Sequence, residues 1–405
     1  MKITKDGILS IGMLTIAIGV SLPGFCKSLS IFILGLIVLY GLVSKSDNML
    51  RDSKIETILV FPVLLYIAYC IGMIYTSNLA RGRLDLEIKL PLLLLPIFMV
   101  LIPKELISPA KLKTYWKTMI ITLAATLVYL LIRAIINHSP ELGFFYSITY
   151  IRLSGFHHPT YLSLIVLTAM IYSYIHFKKP YGLILYFFFN IFLLLLSSRT
   201  GFIGLVMVYI WTLYRARRVE KKPKKALYLL GSFLVILVLN TLSFSLESRL
   251  YDTMDETKNA IGLNKEENGV DTKRYTRKYL YIYSYRYAKK NPLFGVGTGD
   301  VRDELESYYN EEGIEFEIYL NPHNQYLQTS VALGLFGLIF LIAMIIYPMI
   351  RSIKQKQYHI LVLLLIMSLS LMFESMLERQ MGTHSFLVIY IYLALELYHS
   401  QRLKP

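Results

Sequence analysis

Four polar clusters interrupt an otherwise apolar chain, and each holds side chains suited to grasping a phosphate or moving a proton. His323 and Asn324 stand in "NPHNQYLQTSVALGLFG", immediately before a run of apolar residues and glycines. An imidazole titrates near neutral pH and suits proton transfer, although a histidine at a helix start is also an ordinary capping residue. Arg199 lies in "LLLLSSRTGFIGL", where two apolar runs are joined so closely that the guanidinium must stay near a membrane plane. There it is either a turn residue reaching headgroups or a fork that clasps a phosphate through two hydrogen bonds. Arg274 and Arg277 are three residues apart, hence on one face of a helix, as a solvated cationic face or a further phosphate contact. In "GFHHPTYLSL", Pro159 fits the first turn of a helix and leaves His157 and His158 exposed before it, an arrangement read first as structural.

The chain holds no Asp-x-Asp, and its first outer loop, "PGFCKS", has no carboxylate. A metal-dependent glycosyl transfer site wants hard oxygen ligands near a diphosphate, so arginines would have to supply the positive charge. Cys26 and Cys70 are the only cysteines and Cys70 falls in an apolar run, which indicates neither a disulfide nor a metal framework.

The elements that must position these groups are membrane helices. The 405 residues are 55% hydrophobic and 17% charged, with a mean hydropathy of +0.51. An α-helix crosses the hydrocarbon layer with about 20 apolar residues. Twelve candidate segments begin near residues 6, 28, 55, 86, 114, 160, 181, 200, 226, 326, 358 and 383. The first lacks a small-residue cleavage site and reads as a retained span. The net charge of +15 does not mark a nucleic-acid binder, because the cations occupy every second loop: Lys45, Arg51 and Lys54, then Lys104, Lys111 and Lys113, Lys178 and Lys179, "YRARRVEKKPKK", "RSIKQK" and the terminal "QRLKP". That alternation places both termini in the cytoplasm. One outer loop departs from it: "TSNLARGRLDLEIK" carries Arg81, Arg83 and Lys89, as stems snorkelling to headgroups or as an external anion site.

The chain thus divides into spans one to nine (1–244), an outer hydrophilic segment (245–322) and spans ten to twelve (323–405). The middle segment holds 15 of the 27 acidic and 11 of the 42 basic residues, so it is solvated. Within it, "KRYTRKYLYIYSYRYAKKNP" reads as a helix stopped before Pro292, with Tyr275, Tyr279, Tyr283 and Tyr287 in one stripe. Such a helix suits the membrane–water interface. The glycines of "PLFGVGTGD" permit close backbone approach, but the Lys-Ser/Thr ending of a phosphate-binding loop is missing. Gly334 and Gly337 would let another helix pack closely.

Together these residues resemble the bacterial O-antigen ligases, a superfamily shared with O-antigen polymerases and protein O-oligosaccharyltransferases. The resemblance spans most of the chain and is most specific in its second half. The family pattern of His, an amide residue, nine residues, Gly, two residues and a small residue matches His323, Asn324, Gly334 and Gly337. The family's Arg-x-x-x-Trp followed by "hPLxGvG" resembles Arg277 to Tyr281 and "NPLFGVG", with Tyr in place of Trp. "SSRTG" resembles its outer-loop arginine motif, and "GFHHPTYLS" its His-Pro-Asn/Thr element.

The resemblance implies an all-α, twelve-span inner-membrane enzyme of the GT-C type with one large periplasmic segment. It would move a glycan from undecaprenyl diphosphate to a lipid A–core sugar at the periplasmic face, inverting the anomeric centre without metal or cofactor. His323 would be the general base, and Arg199 and Arg277 would neutralise the departing diphosphate. Arg274, Asn324, Arg81, Arg83 and His158 would complete the binding site. A polymerase would share the donor but accept a second lipid-linked glycan, and an oligosaccharyltransferase would accept a Ser or Thr. A transporter is the non-enzymatic alternative, but its site usually lies near the midplane, whereas these polar clusters gather at one face.

Overall fold

The computed structural model describes residues 5–43, 57–102, 104–138, 148–242, 272–311 and 321–402. Among the described residues the regular structure is helical throughout. In chain order the helices are α1 (Lys5–Gly19), α2 (Gly24–Val43), α3 (Thr57–Gly72), α4 (Leu79–Lys89), α5 (Pro91–Leu101), α6 (Pro109–Ile136), α7 (Pro159–His176), α8 (Tyr181–Leu195), α9 (Arg199–Tyr214), α10 (Pro223–Leu242), α11 (Thr272–Ala288), α12 (Val301–Glu311), α13 (Gln325–Lys354), α14 (Tyr358–Phe373) and α15 (Gln380–Arg402). Lys45, Arg51 and Lys54 lie outside the described residues, as do residues 245–271 and 312–320 of the segment 245–322.

Each of the twelve apolar segments contains a helix, but among the described residues five helical stretches are long and apolar enough to cross a membrane: Gly24–Val43, Thr57–Tyr75, Pro109–Ile136, Gln325–Lys354 and Gln380–Ser400. Helices α8 and α14 are apolar but shorter. The fourth apolar segment is divided. Its first residues belong to the polar helix α4, and the apolar α5 starts afresh with Pro91 in its first turn, where a missing N–H costs nothing.

Two helices form the centre. Helix α7 is buried along nearly its whole length, and α15 is buried without interruption from Phe386 to Leu395. Helices apolar on every side belong in an interior, not on a surface. Trp116 of α6 stacks on Tyr172 of α7 at 3.8 Å and meets Tyr392 of α15 edge-on at 5.2 Å. The Tyr392 hydroxyl donates to Met13 O of α1, and Tyr390 donates to Ile58 O of α3. These bonds satisfy polar tips that would be costly in an apolar core.

Helix α13 is the element on which the site is built, and it is broken. Gly334 has φ 59° and ψ −152°, a region open in practice only to glycine. In a continuous helix, Leu335 N would bond Val331 O and Phe336 N would bond Ala332 O. Here the segment 292–297 enters between those partners. Leu335 N donates to Pro292 O (2.7 Å) and Phe336 N to Leu293 O (3.1 Å), while Val331 O and Ala332 O accept from Val296 N and Gly297 N (both 2.9 Å). All four freed groups are paired again, as a break at membrane depth requires. A Cβ on Gly334 would lie 2.4 Å from Leu293 C, and one on Gly295 would lie 2.5 Å from Ala332 C. The expected close packing at Gly334 is therefore against a loop strand, not another helix.

The tyrosine stripe of α11 also departs from the sequence expectation. Tyr283 and Tyr287 are buried against Tyr308 of α12 with ring centroids 5.7 and 5.3 Å apart, and the Tyr287 hydroxyl bonds Glu304. This half of the stripe serves protein packing, because α12 folds back over the face intended for lipid. The side chains of Tyr275 and Tyr279 lie outside the described residues.

Candidate active site

The loop before α13 explains its own sequence. Asn321 Oδ1 accepts from His323 N at 3.0 Å, closing a side-chain turn around Pro322. His323 follows with φ 47°, a left-handed conformation that costs a non-glycine residue roughly 1–3 kcal/mol and marks functional positions more often than others. Asn324 then caps α13, its Oδ1 accepting from Leu327 N at 3.1 Å. The polar pair at the head of this helix is thus one capping residue and one histidine turned out of the helical path.

The turned ring meets a carboxylate that sequence reasoning missed. His323 Nδ1 lies 3.3 Å from both oxygens of Glu374, the residue that ends α14. Glu374 is buried, with 4% of its side chain exposed, while His323 keeps 20%. On the other side of the same carboxylate, His158 Nε2 is 3.8 Å from Glu374 Oε2. His158 Nδ1 accepts from Thr160 N at 3.3 Å as the N-cap of α7, which leaves Nε2 to face the carboxylate. Glu374 thus joins the starts of α7 and α13. Its signal was available: a lone acid at the end of an apolar run is expensive unless it serves a purpose.

His157 differs from expectation. It is buried, not exposed, and its Nε2 lies 3.1 Å from Ser21 O. Burial, assisted by the Lys27 ammonium and opposed by the Ser21 contact, pushes its pKa down to about 3. A ring held neutral behind His158 acts as packing.

Arg199 opens α9 with an exposed side chain, after the N-cap Ser198 whose Oγ accepts from Gly201 N. Gly201 presses on Ser163 near the start of α7, where an added Cβ would lie 2.8 Å from Ser163 Oγ. Arg199 therefore stands at the same end of the bundle as His158. The side chains of Arg274 and Arg277 lie outside the described residues, but their helix α11 reaches the site. The Tyr281 hydroxyl donates to His323 O at 3.3 Å and to Met372 O at 3.4 Å, and Arg277 precedes Tyr281 by one turn on the same face.

Arg81 and Arg83 are exposed on α4. Asp300 anchors the start of that helix, its two carboxylate oxygens accepting from Ser77 N and Asn78 N at 2.7 Å each. Lys89, at the end of α4, points inward instead: fully buried, it donates to Glu378 Oε2 at 2.8 Å. The structure brings His323 and His158 together through Glu374, and describes no contact of Arg81, Arg83 or Asn324 with the imidazole. Among the described residues no three His, Cys, Asp and Glu side chains are arranged to hold a metal ion, and Cys26 and Cys70 are free thiols.

This arrangement can take up a proton. Glu374 holds the Nδ1–H of His323, so the Nε2 lone pair is free for a hydroxyl, the division of labour of a carboxylate-oriented imidazole. The contact at 3.3 Å is longer than an ordinary hydrogen bond, as such pairs often are before substrate binds.

Comparison with curated proteins finds no match. Residues 182–342 match a protein-family model described as O-antigen ligase. The matched stretch runs from α8 to the middle of α13 and includes Arg199, Arg274, Arg277, the segment 292–297, His323 and the Gly334 break. Over residues 182–342 the chain is therefore similar to the O-antigen ligase family.

Proposed function

We infer that the protein transfers a glycan from undecaprenyl diphosphate to a hydroxyl of lipid A–core, at the periplasmic face of the inner membrane. The family match over residues 182–342 supports glycan transfer of the ligase or polymerase type in general. The observation that carries the reading further is the strained His323 turn with its ring against buried Glu374.

His323 Nε2 accepts the proton of the acceptor hydroxyl as that oxygen forms a bond to the anomeric carbon. The bond from that carbon to the diphosphate oxygen breaks, and its electron pair leaves with the diphosphate. The displacement inverts the anomeric centre. Glu374 stabilises the imidazolium that results, as an oriented carboxylate does in an acyl-transfer triad. Arg199 and Arg277 take up the charge that develops on the leaving diphosphate, the role of fixed cations wherever negative charge grows. With guanidinium groups supplying that charge, the reaction proceeds without a metal.

The test is the purified protein incubated with a lipid-linked glycan and three separate acceptors: lipid A–core, a second lipid-linked glycan, and a Ser/Thr peptide. Product on lipid A–core, undiminished in excess EDTA, is the expected result. Elongation of the second lipid-linked glycan alone would replace the ligase reading with a polymerase. Loss of product in EDTA, restored by magnesium, would overturn the assignment of the arginines.

A further inference from the structure

Behind His323 lies a buried polar chain that the proposed reaction does not itself employ. Lys89 Nζ, fully buried at the end of α4, donates to Glu378 Oε2 at 2.8 Å and lies 3.9 Å from Asp85. It also sits 4.7 Å above the centre of the Tyr69 ring. The other oxygen of Glu378 accepts from Gln325 Nε2 at 3.1 Å, and Gln325 Oε1 accepts from Leu377 N at 2.8 Å. Gln325 Nε2 is also 3.3 Å from Thr329 Oγ1, which meets the Tyr69 hydroxyl at the same distance.

Gln325 stands two residues after His323, and Leu377 and Glu378 stand three and four residues after Glu374. The chain therefore ties the segment that supplies the carboxylate to the turn that supplies the imidazole. It does so at a depth where water cannot replace a lost contact, since Gln325, Leu377 and Lys89 are all fully buried.

The geometry points to Lys89, Glu378 and Gln325 as positioning residues that set the separation of Glu374 and His323, and so the orientation and proton affinity of the general base. This inference rests on the reading of His323 given above. A buried ion pair is a weak source of net stability, because desolvation of two charges cancels most of their attraction, and apolar replacement of both partners is often neutral or better. Positional specification is the better-supported reason to keep one, when its polar partners lie on two segments that must meet.

Lys89→Met/Glu378→Met removes both charges together and leaves none buried alone, and Gln325→Met cuts the link while leaving the ion pair. Both variants are compared with the full-length protein for thermal stability, donor KM, kcat against pH, and the ¹⁵N resonances of His323, assigned with His323→Gln. Among the described residues the titratable and charged groups around the imidazole are Glu374, His158 across it, and Tyr281, whose hydroxyl donates to His323 O. Those facing the tether are Asp85, Tyr69, Tyr161 of α7 and the adjacent Arg379. Loss of partners that orient an imidazole around a metal typically costs about 10–100-fold, and a loss of that order in kcat is expected here, with donor KM unchanged. The acidic limb of the kcat profile should move, and the His323 resonances should show a mixture of ring tautomers.

Lys89→Arg, which keeps the ion pair, should return most of the rate. If either Met variant folds and retains wild-type kcat, pH profile and His323 resonances, the tether is structural only and the inference is overturned. If the double variant does not fold, Gln325→Met decides alone. If His323→Ala itself transfers glycan at the wild-type rate, the functional reading falls, and the resonances still report whether the tether orients the ring.

Discussion

At the scale of single residues, the proposed reaction assigns different work to the imidazole, the carboxylate and the arginines. A general base typically contributes about 10²–10⁴-fold in rate. His323→Ala should lose turnover of that order while retaining donor binding, because the diphosphate contacts stay in place. Glu374→Gln keeps the shape but removes the charge that stabilises the imidazolium, so its kcat should fall toward the His323→Ala level without passing it. Matched transfer and donor-binding assays in one detergent check both, and full activity of Glu374→Gln would remove the carboxylate from the mechanism. The arginines should behave differently. Arg199→Ala and Arg277→Ala should lower donor affinity as well as turnover. Lysine at either position should rescue only partly, since an ammonium keeps the charge but not the planar fork. If both alanine variants bound the donor as tightly as the wild type, neither arginine would be a diphosphate ligand.

At the scale of elements, the break in α13 and the placement of α4 are the two features that hold the site. Gly334→Ala would force a side chain into a backbone region costing roughly 1–3 kcal/mol, and its Cβ would collide with Leu293 C at 2.4 Å. The segment 292–297 would be displaced and four paired backbone groups released. The expected outcome is a lower Tm together with lost transfer, measured by thermal melting in detergent. Gly231→Ala, with no atom within 4 Å of the new Cβ, serves as the comparison. Helix α4 gives a pH signature. Burial pushes the Asp85 carboxyl from its ordinary 3.8 up to about 6, with Lys89 partly opposing the shift. The folded chain holds this proton more tightly than the unfolded chain, so the contribution to stability is present below the ordinary value and is lost as pH rises through about 6. Between these values the wild type should lose stability with rising pH more steeply than Asp85→Asn, as melting curves across that range will show. Parallel curves would mean that Asp85 does not titrate there.

At the scale of the whole molecule, His158, Arg199, His323 and Glu374 gather at one end of the bundle, and the basic connections after α7, α9 and α13 lie at the other. Lys178, Lys179, Arg217, Arg218, Lys221 and Lys222 belong to that opposite end. The proposed orientation therefore makes a labelling prediction. Lys289→Cys, exposed just after α11, should react with an impermeant thiol reagent in cells whose outer membrane has been opened. Lys221→Cys should react only after lysis. The wild-type cysteines are first replaced by serine to clear the background. The reverse pattern would place the His323 end in the cytoplasm and exclude a periplasmic donor.

The sequence by itself determined the helices, the spacing within them and the resemblance to the O-antigen ligases. Apolar runs and alternating basic loops are local or statistical properties, and Arg199, His323, Asn324 and the glycines of "NPLFGVG" lie close enough to their neighbours for a motif to be read. The capping role that the sequence offered for His323 falls to Asn324, whose Oδ1 accepts from Leu327 N. The sequence did not disclose that Gly334 breaks its helix, because hydropathy is blind to where a backbone hydrogen bond goes, and the partners of that bond lie about forty residues earlier. It placed Lys89 among exposed cations, although folding carries it to Glu378, 289 positions away. It passed over Glu374, whose meaning depends on the meeting of α7, α13 and α14. Local chemistry was legible because the chain carries it in order; the base–carboxylate pair and its tether were not, because long-range packing alone decides which buried charges share a space.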